Sequence, residues 1–157
     1  LTMNQSEEIR VLYVDDEENN LIAFKASFRR LFKVFTAISA ADAQDILVNN
    51  DIHILITDQR MPVTTGSEFL KQTVELFPDQ IRILLTGFAD IDALKDAVNN
   101  GKIYCYLQKP WNEDELRDTI FKAYESYKAK VEKDELAKTL VKTNEQLEFY
   151  LRQKLLS

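Results

Sequence analysis

Cysteine occurs once in the 157 residues, at Cys105. No internal disulfide can form, which fits a reducing compartment, and a lone Cys inside an apolar strand reads as a small buried hydrophobe. Histidine also occurs once. His53 opens an apolar strand beside Asp51, and its expected role is structural rather than that of a phosphodonor or ligand. Three glycines and three prolines leave little room for disordered linker. No apolar run approaches the roughly 18 residues of a membrane span and no signal peptide is visible, so a cytoplasmic location with no membrane contact is expected. Nor is there a basic stripe. Residues 1–127 carry 13 basic against 21 acidic side chains, and residues 128–157 carry 7 against 5. That balance argues against nucleic-acid binding.

What is present is a repeating alternation of strand and helix. Arg10-Val11-Leu12-Tyr13-Val14 is a buried strand ending on Asp15-Asp16-Glu17-Glu18. Leu21, Ile22, Phe24, Phe28, Leu31 and Phe32 recur at helical spacing, which predicts a helix over roughly 19–31. A second strand follows at 33–38, then a helix capped by Ser39 and carrying Ala43, Ile46 and Leu47. The apolar run Ile52 to Thr57 delivers Asp58 to a turn that Pro62 enforces. Thr65-Gly66-Ser67-Glu68 matches a capping box and opens a helix through Phe69, Leu70, Val74 and Phe77. A fourth strand at 81–86 ends on Thr86. Ile91, Leu94, Ala97 and Val98 predict a fourth helix closed by Asn99-Asn100-Gly101. A fifth strand at 103–107 leads to Gln108-Lys109-Pro110, and Asn112 caps a last helix with Leu116, Ile120, Phe121 and Tyr124 inward. Five such alternations specify an α/β fold, a parallel sheet with right-handed crossovers and helices on both faces.

Four strands end in chemistry: Asp15 and Asp16 after the first, Asp58 after the third, Thr86 after the fourth, Lys109 after the fifth. In a doubly wound sheet those ends gather along one edge. Three crowded carboxylates call for a hard divalent cation, and a hydroxyl with an ammonium suits a phosphoryl group. The residues alone therefore point to Mg²⁺-dependent formation of an aspartyl phosphate on Asp58.

Val14-Asp15-Asp16, Asp58-Gln59-Arg60-Met61-Pro62 followed by Gly66, Thr86-Gly87 and Tyr106-Leu107-Gln108-Lys109-Pro110 stand in order and at domain-compatible spacing. With them, residues 8 to 126 resemble the receiver domain of two-component response regulators. The resemblance implies a flavodoxin-like (βα)5 sheet in the order 2-1-3-4-5, for which the same family is a standard example. It implies that Asp58 accepts phosphate from a histidine kinase or phosphotransfer protein. Asp16 directly, Asp15 through water and the backbone carbonyl of Arg60 would join Asp58 in holding Mg²⁺, with Mn²⁺ as a substitute. Lys109 would pair with a phosphate oxygen and Thr86 would bond another, while Tyr106 would swing inward as Thr86 moves. Gln59, Arg60, Gly87 and Phe88 would flank the phosphate, and Pro110 would follow a cis peptide.

The chain divides into a loose N-terminus (1–8), the receiver-like domain (9–127) and a helical linker (128–157). The linker has no Pro or Gly, which predicts one helix from about 112 onward and a homodimeric coiled coil. Its heptads are imperfect. Leu136, Leu140, Thr143, Leu147, Tyr150 and Lys154 make one stripe; Ala137, Val141, Asn144, Glu148, Leu151 and Leu155 make another, one residue on. Two stripes suggest a linker that phosphorylation shifts between frames to steer an output domain beyond residue 157, whose identity nothing here specifies. The competing readings are a phosphate-independent scaffold and a haloacid-dehalogenase-like phosphatase. The latter wants a second Asp where Arg60 stands.

Overall fold

The computed structural model describes residues 8–87, 94, 95, 98 and 102–157. Along them run β1 (Arg10–Val14), α1 (Glu18–Phe28), β2 (Lys33–Ala37), α2 (Ala40–Asn49), β3 (Ile54–Asp58), α3 (Gly66–Leu76), β4 (Ile81–Thr86), β5 (Cys105–Gln108) and α4 (Glu113–Leu156). The strands form one sheet in the order β2-β1-β3-β4-β5, every neighbouring pair parallel. This is the doubly wound, flavodoxin-like arrangement. The expected fourth helix lies mostly outside the described residues. Leu94, Lys95 and Val98 are helical, and Leu94 is buried with Val98 packed nearby.

Strand alternation sorts the side chains into two cores. Val11, Tyr13, Ile54, Ile56, Ile83 and Leu85 face α1 and the first half of α4, where Phe24, Phe28, Leu116, Ile120 and Ala123 meet them. Leu12, Val14, Leu55 and Leu84 face α2 and α3, against Ala43, Leu47, Phe69 and Leu70. Burying each such side chain contributes roughly 1.5–3 kcal/mol. Tyr13 stacks on Phe24 at 4.5 Å between centroids, and Trp111 meets Phe24 edge-on at 6.0 Å.

Local signals set the helix starts. Ser39 Oγ accepts from the Asp42 amide at 3.1 Å, Thr65 Oγ1 from the Glu68 amide at 3.3 Å and Asn112 Oδ1 from the Glu115 amide at 2.9 Å. Helix α1 stops three residues short of its periodic pattern. The Lys33 amide bonds the Ile9 carbonyl and Lys33 pairs with Arg10, so the chain must reverse within 29–32. Phe32 tucks under that turn while Leu31 is left exposed, as is Ile22. Phe121 is exposed too, lying edge-on to Phe32 at 5.1 Å; Ala123 takes its expected inward place.

His53 is buried and structural. The Arg10 amide donates to its Nδ1 at 3.0 Å, the Arg10 guanidinium lies 2.7 Å from Nε2, and the ring sits against Tyr124 and Tyr127. Burial, then the Arg10 charge, lowers its pKa to about 4. Cys105 is half-buried against the α1 and α4 core, and burial raises its thiol pKa to about 11. Both values describe neutral side chains near pH 7.

Helix α4 runs unbroken for 44 residues, about 66 Å at 1.5 Å per residue. Its contacts with the domain continue past Tyr127. Lys130 Nζ donates to the Pro78 carbonyl, and the neighbouring Asp134 carboxyl pushes the Asp79 pKa up. Leu136, Leu140, Val141, Leu147, Phe149, Tyr150, Leu151, Leu155 and Leu156 beyond it are exposed. Among the described residues no helix is long and apolar enough to cross a membrane.

Candidate functional site

The carboxyl ends of β1, β3, β4 and β5 converge because parallel pairing holds them in step. Asp58 lies opposite Leu85, and Thr86 opposite Gln108. Asp15 follows β1 by one residue, and its amide bonds the Ala37 carbonyl at 3.1 Å. Carboxylate oxygens of Asp15, Asp16 and Asp58 all lie within 4.8 Å of one another. Asp15 and Asp58 are buried, whereas Asp16 is exposed. Lys109 Nζ reaches in from the end of β5, 3.3 Å from Asp58 Oδ1 and 4.0 Å from Asp15 Oδ2. It is placed by its own amide, which donates to the Thr86 carbonyl at 2.9 Å, and by the cis Lys109–Pro110 peptide.

Asp15 is fixed by three neutral donors: Tyr13 Oη at 2.6 Å, the Glu17 amide at 2.9 Å and Asn20 Nδ2 at 3.0 Å. Among the described residues Asp58 has no such set of donors. Burial raises its pKa, Lys109 opposes that, and the Asp15 charge adds to it. The pocket therefore holds one well-solvated-by-protein carboxylate, one solvent-facing carboxylate and one carboxylate whose charge is poorly compensated. A set of oxygen donors this close, with one side open to water, fits a hard divalent cation such as Mg²⁺.

Gly66 lets the pocket close. A Cβ there would stand 2.2 Å from the Asp58 carbonyl oxygen, so only glycine allows α3 to start against the end of β3. The Gly66 amide bonds the Gln59 carbonyl at 2.9 Å. Gln59 spends its side chain on the same junction: Oε1 accepts from the Ser67 amide at 2.8 Å and Nε2 donates to Ser67 Oγ at 3.2 Å. Between them Val63 adopts φ 72° in a tight turn closed by the Thr64 amide on the Pro62 carbonyl at 2.8 Å.

The remaining expected residues are distributed as follows. Thr86 is buried at the end of β4 with Oγ1 donating to the Gly87 carbonyl at 3.2 Å. Tyr106 is half-buried on β5 opposite Leu84 and packs against the α2 and α3 core. Arg60 and Gly87 are exposed, and Phe88 lies outside the described residues. Tyr13, Asn20 and Ser67 were not anticipated. A tyrosine two residues before an acid on a strand shares that acid's face, which is the signal that could have pointed to Tyr13.

A family model for the response regulator receiver domain matches residues 11–121. The chain belongs to that family. Among its relatives, the hydrogenase transcriptional regulatory protein HoxA of Cupriavidus necator is 39% identical over 116 residues, which is 74% of this chain and 24% of that protein. The receiver thus spans about a quarter of the length of that relative. Among solved structures, an adenylate cyclase from Rhodopirellula baltica superposes with a TM-score of 0.81 at 28% identity, covering 83% of this chain and 98% of that one. The signal receiver domain of an HD domain-containing protein from Pseudomonas fluorescens gives 0.75 at 28% identity, covering 84% and 96%. Receiver domains are signalling modules of two-component systems, and their partners are histidine kinases or phosphotransfer proteins.

Proposed function

We propose that this receiver takes a phosphoryl group from a phosphohistidine on a histidine kinase or phosphotransfer protein, with Asp58 as the acceptor. The observation that carries the reading is the approach of Lys109 to Asp58 at 3.3 Å inside a group of three carboxylates. In the reaction an Asp58 carboxylate oxygen forms a bond to phosphorus as the phosphorus–nitrogen bond breaks. The electron pair stays on the imidazole, which leaves neutral with a proton on its other nitrogen. Lys109 offers its ammonium to a phosphoryl oxygen, and Asp15, locked by Tyr13 and Asn20, keeps the pocket's shape while charge moves. Mg²⁺, or Mn²⁺ in its place, held by Asp15, Asp16, Asp58 and the Arg60 carbonyl, supplies the remaining charge neutralisation when bound.

Attachment places new acceptor oxygens beside the end of β4. Thr86 then exchanges its bond to the Gly87 carbonyl for a phosphoryl oxygen, and Tyr106 follows inward; Gln59 and Gly87 flank the group. The receiver unit comprises residues 9–127, and residues 128–157 form a stalk through which two copies pair to control an output domain.

The test is transfer from a phosphorylated donor domain in the presence of Mg²⁺. The wild-type chain becomes labelled at an acyl phosphate and binds beryllofluoride, whereas Asp58→Asn does neither. Labelling that survives Asp58→Asn would overturn the assignment.

A further inference from the structure

We propose that the cleft at the amino end of β4, walled by Gln80, Arg82, Lys102, Tyr104 and Lys130, binds hydrogen phosphate, in a site separate from Asp58 and independent of its role.

The sheet sets the place. Arg82 stands opposite Leu55 and Asp58 opposite Leu85, so the two lie about 10 Å apart along the strands at roughly 3.3 Å per residue. The Tyr104 amide bonds the Arg82 carbonyl at 2.7 Å, which draws residues 102–104 alongside the start of β4. Helix α4 passes the same spot and brings Lys130, whose Nζ donates to the Pro78 carbonyl. The cleft between them measures about 90 Å³. That is far below the roughly 300 Å³ of a pocket for a drug-sized ligand, and it leaves room for one small group.

Arg82 sets the charge. It is 4% exposed, with Nε donating to the Lys102 carbonyl at 3.1 Å and Nη1 to the Phe77 carbonyl at 3.0 Å. Those bonds tie two loops to β4, but neutral carbonyls leave the guanidinium charge uncompensated. Among the described residues no carboxylate pairs with it, and burial lowers its pKa. A buried cation without a counter-ion is costly, and most of this one's N–H donors remain unspent. Lys102 and Lys130 bring two further ammonium groups to the same cleft and Tyr104 a hydroxyl. No acid among the described residues lines it; Asp51 and Asp79 line the adjoining cleft. Cations gathered on so small a space match a dianion with several acceptor oxygens better than a single carboxylate.

Gln80 sets the identity. Its Nε2 donates to the Ile52 carbonyl at 3.3 Å, and its Oε1 is left buried with no hydrogen-bond partner. Gln80 is itself only 4% exposed and forms part of the cleft wall. That oxygen needs a donor from the ligand. Hydrogen phosphate carries a P–OH beside its charged oxygens, whereas sulfate and carboxylates carry none. Bound there, the ion gives Lys130 a charged acceptor in place of a neutral carbonyl and so fastens the root of the stalk to β4.

The test is titration of the full chain with sodium phosphate near pH 7.5, at constant ionic strength and in EDTA, followed by backbone amide NMR. Without metal, the carboxylates of Asp15, Asp16 and Asp58 repel anions from the other end of the sheet. Phosphate should shift the amides of Ile81, Arg82, Ile103 and Tyr104 and leave those of Asp58 and Lys109 in place. Lys102→Ala and Lys130→Ala, both at exposed positions, should each weaken binding about tenfold, the loss of one charge-assisted hydrogen bond. Sulfate and acetate should bind about fivefold more weakly than phosphate, as should glycerol 3-phosphate, which is a dianion without P–OH at that pH. No shift, or the same shifts with chloride, overturns the site. Affinity unchanged in both lysine variants overturns its placement. Sulfate or glycerol 3-phosphate binding as tightly as phosphate overturns the choice of ion and the part given to Gln80.

Discussion

Removing the acceptor's charge should stabilise the protein. At an effective dielectric of about 20, charges 4.8 Å apart repel by about 3.5 kcal/mol, and charges 3.3 Å apart attract by about 5 kcal/mol. Lys109 offsets the repulsion from Asp15 and from the exposed, screened Asp16, so burial of the Asp58 carboxylate is what leaves a net penalty. A net cost on the order of 2 kcal/mol follows, in the sense already given by the raised Asp58 pKa. Asp58→Asn should therefore raise the melting temperature at pH 7, without divalent metal, by about 4–8 °C for a chain of this size. The sign with pH is fixed. A carboxyl whose folded pKa is raised loses stability as pH rises through that pKa, so the penalty is full at neutrality and relieved as pH falls toward the ordinary carboxylate range. The gap between Asp58→Asn and wild type should close on acidification, and Mg²⁺ should narrow it at pH 7 by stabilising wild type more. Thermal melts at pH 7 and near pH 4, with and without Mg²⁺, measure all of this. A variant no more stable than wild type at pH 7, or a gap that is unchanged at acid pH, would refute the electrostatic reasoning.

Three further outcomes are expected. Gly66→Ala forces a Cβ onto the Asp58 carbonyl and should destabilise by about 2–4 kcal/mol in chemical denaturation, with phosphoryl transfer reduced as well. Val63→Gly should gain about 1 kcal/mol in the same measurement, because a fully exposed β-branched residue at φ 72° contributes strain and no packing. His53, with its pKa lowered to about 4 from an ordinary 6.5, contributes stability that is complete above pH 6.5 and lost as pH falls toward 4. His53→Gln should flatten the acid limb of the stability profile over that window, and an acid limb of unchanged slope would show that the ring carries no such linkage.

Most of the sheet was legible because both of its faces are covered. Runs such as Ile54 to Thr57 and Ile83 to Leu85 have no exposed side to supply polar alternation, and their ends carry the acids, Thr86 and Lys109. The end of α1 was not legible. Leu31 keeps the helical period, yet the pairing of Lys33 with Arg10 decides where the chain turns, and that is a tertiary demand. Phe121 yields its expected inward place to Ala123 for a similar reason: the gap beside the sheet takes the smaller side chain, and Phe32 gives the larger one a partner at the rim. Asp15, Asp58 and Lys109 could be named from strand ends alone. Their supports could not, because Asn20 and Ser67 are ordinary helix residues until folding brings them to Asp15 and Gln59.

Helix α4 begins four residues after Lys109 and is fastened to the domain as far as Lys130. Between those points it answers to the receiver; beyond them it is an arm of about 39 Å, from the 1.5 Å rise per residue. A tilt of about 5° at that fulcrum carries Leu156 about 3 Å sideways by the same geometry. Displacements too slight to disturb the sheet at Lys109 are thus enlarged to the scale of a side chain at the distal tip, and the fastening at Lys130 sets the gain.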